Sequence, residues 1–235
     1  MAALTASTRL VALLGHPVGH SLSPRMQNAA FAAAGLDWAY VALDVPREEL
    51  ETVVRGLAAA GFAGANVTIP HKQAAARLCD EADGDAVNTL VFADGRIVGS
   101  NTDREIVAPI ASTRVCLIGA GGAAATILPG LHGEVLQFSR RGTWPPDATG
   151  CDLIVNATPV RDELLVEPVE GQTVVELAYS PDGADTALVA AARAAGCEVV
   201  DGREALVRQG AASFERWTGV AAPVAAMRAA LGLDA

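Results

Sequence analysis

The stretch Arg114-Val115-Cys116-Leu117-Ile118-Gly119-Ala120-Gly121-Gly122-Ala123-Ala124 decides the fold. Its first part reads as a buried strand. Gly119-x-Gly121-x-x-Ala124 then opens a helix, which is the pattern of a dinucleotide-binding turn. The glycines allow a tight bend and let a pyrophosphate approach the helix N-terminus. Turns rich in Gly and Ala are common, so the motif alone says little. Its weight comes from the end of the next strand, about 20 residues on, where an acidic residue would hold the ribose 2′-hydroxyl of NAD. Ser139, Arg140 and Arg141 stand there instead. Two guanidinium groups suit a 2′-phosphate, which points to NADP(H). The plainer alternative is a solvated basic turn.

Working outward, the preceding residues form a first strand–helix series. Residues 9–14 read as a buried strand ended by Gly15. Ser23 before Pro24 is an N-cap followed by an N1 proline, so a helix is expected from Ser23 to about residue 34. Residues 38–44 are a second strand. Pro46 opens a helix with Leu50, Val53, Val54 and Leu57 at helical spacing. A third strand starts at Gly64. Ala93-Asp94-Gly95 has the chemistry of a β-hairpin turn, and a helix is expected from Asp103 to about residue 111. Beyond the Gly-rich turn, strands are expected at 134–138, 152–156, 173–177 and 198–200, and helices over 185–195, 203–217 and 221–231. The alternation predicts an α/β fold with a sheet that is parallel at its centre, and a domain boundary near Asp103.

Composition narrows the function. With 51% hydrophobic and 19% charged residues, the 235-residue chain is globular and long enough for one large core or two small ones. A net charge of -10 argues against nucleic acid or anionic membrane as a partner. No apolar run approaches a membrane span. The first nine residues lack the features of a signal peptide, so the cytoplasm is the expected compartment. Cys79, Cys116, Cys151 and Cys197 form no C-x-x-C pair and read as buried thiols in a reducing setting. His16, His20, His71 and His132 have no ligand spacing, so no metal is expected.

The chemistry gathers on Gly64-Ala65-Asn66-Val67-Thr68-Ile69-Pro70-His71-Lys72. Here an apolar strand ends in an amide, a hydroxyl and an ammonium, which suits a small polyhydroxylated substrate and a proton transfer. Ser21 and Ser23 precede a helix and form a natural carboxylate site. Capping would explain one serine but not the other. Asn88, Asn101 and Asp103 could each serve a turn or a cap; their number, together with Lys72, makes a site the better reading. A Lys and an Asp brought together would stabilise each other's charged forms and share proton transfer to a hydroxyl or carbonyl oxygen.

These pieces resemble, in order, the shikimate dehydrogenase family: Gly15-His16-Pro17-Val18-Gly19-His20-Ser21-Leu22-Ser23-Pro24, Asn66-Val67-Thr68-Ile69-Pro70-His71-Lys72, Ala86-Val87-Asn88-Thr89, Asn101-Thr102-Asp103, Gly119-Ala120-Gly121-Gly122-Ala123, and Gln209-Gly210-Ala211-Ala212-Ser213-Phe214-Glu215-Arg216-Trp217-Thr218-Gly219. The resemblance implies an N-terminal α/β substrate domain with a mostly parallel sheet, an NAD(P)-binding Rossmann-like domain, and a cleft between them. The C-terminal helices would cross back, giving residues 1–102 plus 218–235 and residues 103–217. It implies reversible NADP-linked interconversion of 3-dehydroshikimate and shikimate, on the route to chorismate and aromatic amino acids. Lys72 and Asp103 would be catalytic. Ser21, Ser23, Thr68, Asn88, Tyr179 and Gln209 would bind substrate, and Asn66 would be structural. Gly119, Ala120, Gly121, Gly122, Ala123, Ser139, Arg140, Arg141 and Gly202 would bind cofactor. The protein would be a monomer or homodimer. Ser23 speaks for shikimate, since quinate-using relatives tend to carry threonine there. A quinate or aminoshikimate paralogue and a non-catalytic metabolite binder remain as alternatives. Departures from the family pattern fall mainly in the cofactor half: Pro129 close after the Gly-rich turn, short stretches after Arg141 and Val160, Arg161, and Ala205. Gln27 is a departure in the first helix.

Overall fold

In the computed structural model, residues 4–180 and 182–233 are described. The outermost ends of the first domain as drawn from the sequence, residues 1–3 and 234–235, lie outside them. The chain divides into two compact units, Met1–Thr102 with Gln209–Ala235, and Asp103–Arg208.

The first unit begins with β1 (Arg9–Gly15), α1 (Ser23–Ala33), β2 (Trp38–Asp44), α2 (Leu50–Ala59) and β3 (Gly64–Val67). β1 pairs in parallel with both β2 and β3. Five of the seven β1 residues, Val11–Gly15, are buried, as expected of a central strand covered on both faces. After α3 (Lys72–Ala76) and β4 (Glu81–Ala82), the hairpin of β5 (Thr89–Ala93) and β6 (Arg96–Ser100) adds antiparallel strands beside β3. Asp94 and Gly95 both have positive φ, 52° and 72°, as a two-residue turn matching strand twist requires. The sheet order is β2-β1-β3-β5-β6-β4. Leu14, Val54, Ala65, Val67, Val87 and Leu90 belong to the buried cluster on one side of it.

The second unit holds β7 (Arg114–Ile118), α4 (Gly122–Ile127), β8 (Glu134–Phe138), β9 (Leu153–Asn156), β10 (Thr173–Glu176), α5 (Ala187–Ala194) and β11 (Glu198–Val200). Its five strands run parallel in the order β11-β10-β9-β7-β8. Alternate residues of β7 enter different cores. Val115 and Leu117 pack with Ile127 and Val155; Cys116 and Ile118 pack with Ile154 and Val174. That is the two-sided burial of a parallel sheet.

Several sequence expectations need correction. The helix expected over 103–111 is only a 3-10 turn, Asp103–Ile106; Pro109 offers no N–H to extend it. The helix at Ser23 is capped at Leu22, not by the Ser23 side chain. Ser21 Oγ instead accepts the Ser23 N–H at 3.2 Å. The expected helix from residue 203 is α6 (Gly202–Thr218), followed by α7 (Val224–Ala230). The units divide within α6, so residues 209–217 lie with the first unit and not the second. Contacts explain this. Ser213 Oγ meets Asn66 and Thr89, Trp217 Nε1 donates to Leu90 O at 2.9 Å, Gly210 O accepts from Gln27, and Phe214 stacks on Phe31.

Candidate active site

In the first unit Ser21 and Ser23 follow the carboxyl end of β1, Thr68 and Lys72 follow that of β3, and Asn88 precedes β5, which runs antiparallel beside β3. Thr68 continues β3, its N–H donating to Leu14 O at 2.9 Å. The chain then turns, with the His71 N–H on Thr68 O, and Lys72 opens α3 half-buried. His71 is 1% exposed, and its Nε2 donates to Val45 O at 2.7 Å. Val87 N donates to Lys72 O. Lys72 is thereby placed by its backbone and by a buried neighbour.

Asn88 lies beyond Val87 and is 3% exposed. Its Oδ1 accepts from Thr102 N at 2.8 Å, Thr102 Oγ1 at 3.0 Å and Thr89 Oγ1 at 3.0 Å. Its Nδ2 donates to Gln209 Oε1 at 3.4 Å. Behind it, Asn66 joins the set. Tyr40 Oη donates to Asn66 Oδ1 at 2.8 Å, and Asn66 Nδ2 reaches Asn88 O, Thr89 Oγ1 and Ser213 Oγ. Asn88 and Gln209 are thus brought together, while Asn66 faces the interior. Ser21 and Ser23 sit at the entry to α1, Ser23 6% exposed.

In the second unit Asp103 is buried, 7% exposed, directly after Thr102. Gly119 has φ of +122°, and a Cβ there would stand 3.0 Å from Ala157 O, so only glycine fits this bend. The turn Gly119–Ala123 lies at the carboxyl end of β7, where the strand order reverses between β8 and β9. Such reversals form ligand crevices in open α/β sheets. Ser139, Arg140 and Arg141 follow β8, the strand next to that turn, and both arginines are exposed. Arg140 makes a 3.3 Å contact with Glu163 and lies 5.5 Å from the Trp144 ring centre. These residues fit a phosphorylated dinucleotide: a turn with no side chain larger than a methyl for the pyrophosphate, and cations beside it. Gly202 has a packing reason of its own, since a Cβ would collide with Ala178 O and approach Tyr179 Cβ at 2.9 Å. Arg161 Nη1 donates to Tyr179 O at 3.3 Å.

One group escaped the sequence reading. Glu176, at the end of β10, is fully buried. It accepts from Ala178 N, Asn156 Nδ2 and Thr186 Oγ1 at 2.9–3.1 Å. Burial pushes its carboxyl up to about 7 against the opposing pull of these donors. The available signal was an acid ending the apolar run Thr173-Val174-Val175. Thr89, Thr102 and Ser213 were visible only as neighbours of motif residues, and Tyr40 carried no signal.

Comparison with known proteins bears on the family and the fold. Residues 13–90 match the model of the shikimate dehydrogenase substrate binding domain, and residues 202–231 that of the shikimate 5'-dehydrogenase C-terminal domain. The shikimate dehydrogenase (NADP(+)) of Rubrobacter xylanophilus is 44% identical, covering 95% of each chain. That of Methanopyrus kandleri is 38% identical over 96% of each. The first alignment runs to 278 positions against 235 residues in this chain, so it includes stretches that this chain lacks. Among solved structures, a shikimate dehydrogenase in complex with NADP+ superposes with a TM-score of 0.88 at 32% identity, covering 97% of this chain and 96% of that one. The enzyme from Thermus thermophilus in complex with NADP(H) and shikimate gives 0.80 at 31%, covering 96% and 99%. In sequence along nearly its whole length, and in fold, the chain belongs to the shikimate dehydrogenase family.

Proposed function

We propose that this protein catalyses the reversible, NADP-linked reduction of 3-dehydroshikimate to shikimate, with Lys72 and Asp103 as the catalytic pair. The observation that carries the reading is that lysine occurs once in the chain, at position 72, against sixteen arginines. A guanidinium can hold charge but cannot give up a proton near neutral pH, whereas an ammonium can do both. At every other basic position arginine serves; at the end of the Asn66–Lys72 motif the chain keeps the one cation that can exchange a proton.

The Gly119–Ala123 turn would hold the cofactor pyrophosphate, and Ser139, Arg140 and Arg141 its 2′-phosphate. The bound cofactor supplies hydride chemistry at the ring carbon bearing the oxygen. In the direction of reduction, Lys72 donates a hydrogen bond to the substrate carbonyl oxygen, stabilises the negative charge that develops there, and gives a proton to the alkoxide. Asp103 takes part in that proton transfer as the partner of Lys72. Asn88, Thr68 and Gln209 orient the ring hydroxyls, Ser21 and Ser23 hold the carboxylate, and Tyr179 borders the substrate. Every residue in this reading lies on one chain, so a monomer or a homodimer serves it.

The test is an absorbance assay at the reduced-nicotinamide band with shikimate or quinate and NADP or NAD. Shikimate with NADP is the expected best pair. Replacing Lys72 by alanine removes both charge and proton, and should lower kcat by about 10²- to 10⁴-fold. Lys72→Arg keeps the charge alone and should stay close to the alanine variant. A preference for quinate or NAD, or an alanine variant as active as the parent, would refute the reading.

A further inference from the structure

The orientation of the Asn88 amide is decided by its surroundings. Thr102 N–H can only donate, and it lies 2.8 Å from the Asn88 side chain, so the facing atom must be the oxygen. The Thr102 and Thr89 hydroxyls, both at 3.0 Å, add their protons to the same atom. Turning the amide over would set its NH2 against the Thr102 N–H, lose that bond, and force both hydroxyls to turn from donor to acceptor. The proton order behind these hydroxyls follows. Asn66 Nδ2 donates towards Thr89 Oγ1 and Ser213 Oγ, and Ser213 Oγ gives its proton to Thr89 Oγ1 at 2.8 Å, which leaves the Thr89 proton for Asn88. Thr89, Thr102 and Ser213 are fully buried, so water does not compete for these positions.

We propose that Thr89 and Thr102 are positioning residues: they lock Asn88 so that it meets the substrate as an N–H donor, and the group it recognises is an oxygen that accepts. This deepens the proposed function and rests on it. A ligand hydroxyl at Asn88 would take the hydrogen bond on a lone pair and turn its own proton elsewhere. Selection at this point is then for an oxygen in place, and an ammonium there, which has no lone pair, would be rejected. Ser213 extends the same control to Gln209, because it ties that turn of α6 to β3 and β5.

The test uses the intact chain with Thr89→Val and Thr102→Val together. Two of the three donors to Asn88 Oδ1 disappear, while the backbone N–H remains. The shikimate KM should rise about 10-fold, the equivalent of one to two net hydrogen bonds. The NADP KM should stay within about twofold, since the cofactor residues lie in the other unit. Thr89→Ser with Thr102→Ser restores the hydroxyls and should restore the shikimate KM. A double valine variant with unchanged shikimate KM, or a double serine variant that fails to recover, overturns the proposal. If the valine variant does not fold, nitrogen-15 NMR of the wild-type chain gives a second reading. The Asn88 side-chain amide pair, assigned by its loss in Asn88→Asp, should shift on adding shikimate; an unshifted pair overturns the proposal. Absence of turnover in the wild-type chain would count against the proposed function alone, because the amide shift reports binding without turnover.

Discussion

Replacing Glu176 by glutamine should change how stability depends on pH. The carboxyl is fully buried and held at about 7, against a usual 4.5, with burial as the main cause. Keeping it ionised in the fold therefore costs about 3 kcal/mol. The native state holds this proton more tightly than the unfolded chain. The group's stabilising contribution is thus fully present below pH 4.5 and is lost as pH rises through about 7. Glutamine imitates the protonated form. Of the partners, Ala178 N and Asn156 Nδ2 can only donate, so the new NH2 must face Thr186 Oγ1, the one atom there able to accept. Urea unfolding of both proteins at pH 5, 6, 7 and 8, followed by fluorescence and calorimetry, measures the difference. Near pH 5 the two should be similar, and by pH 8 the variant should be ahead by up to about 3 kcal/mol. A difference that stays constant from pH 5 to 8, or a wild-type protein that gains on the variant as pH rises, would refute the argument.

Two further outcomes follow from packing. Gly64→Ala places a methyl against Leu90 O and within 2.5 Å of Trp217 Nε1, the two atoms that bond each other. It should cost about 3 kcal/mol by overpacking and loss of that bond, seen as a lower melting temperature; an unchanged melt would refute the close approach. Cys116 is fully buried and its thiol is pushed up to about 12, chiefly by burial. At pH 8 it should resist a thiol reagent until denaturant is added, and rapid modification of Cys116 in the native protein, located by mass spectrometry, would contradict its placement.

Much of the fold was legible because its signals are local. Gly119 is forced by a bend, Asp94-Gly95 by a two-residue hairpin, and the buried runs of β1, β7 and β10 by sheets covered on both faces. The failures occurred where a local signal competed with something distant. Ser23 has cap chemistry, yet Ser21 takes the backbone N–H. Residues 209–217 continue a helix that begins in the second unit, and nothing in that helical pattern says where the units divide. The division follows from Ser213 and Trp217 finding partners more than 100 residues earlier.

The sequence by itself determined the family pattern, the α/β class, the glycine turn with its neighbouring arginines, and the single lysine. Each is a matter of residue type at short spacing, where backbone sterics and side-chain chemistry act directly. The tertiary structure alone decided which end of Asn88 faces Thr102, why Gly202 admits no side chain, and that Glu176 is a buried acid. Those properties belong to the surroundings. A hydrogen-bond direction is fixed by the donors that converge on it, a close approach by the chain that packs there, and a shifted proton affinity by the water that folding removes.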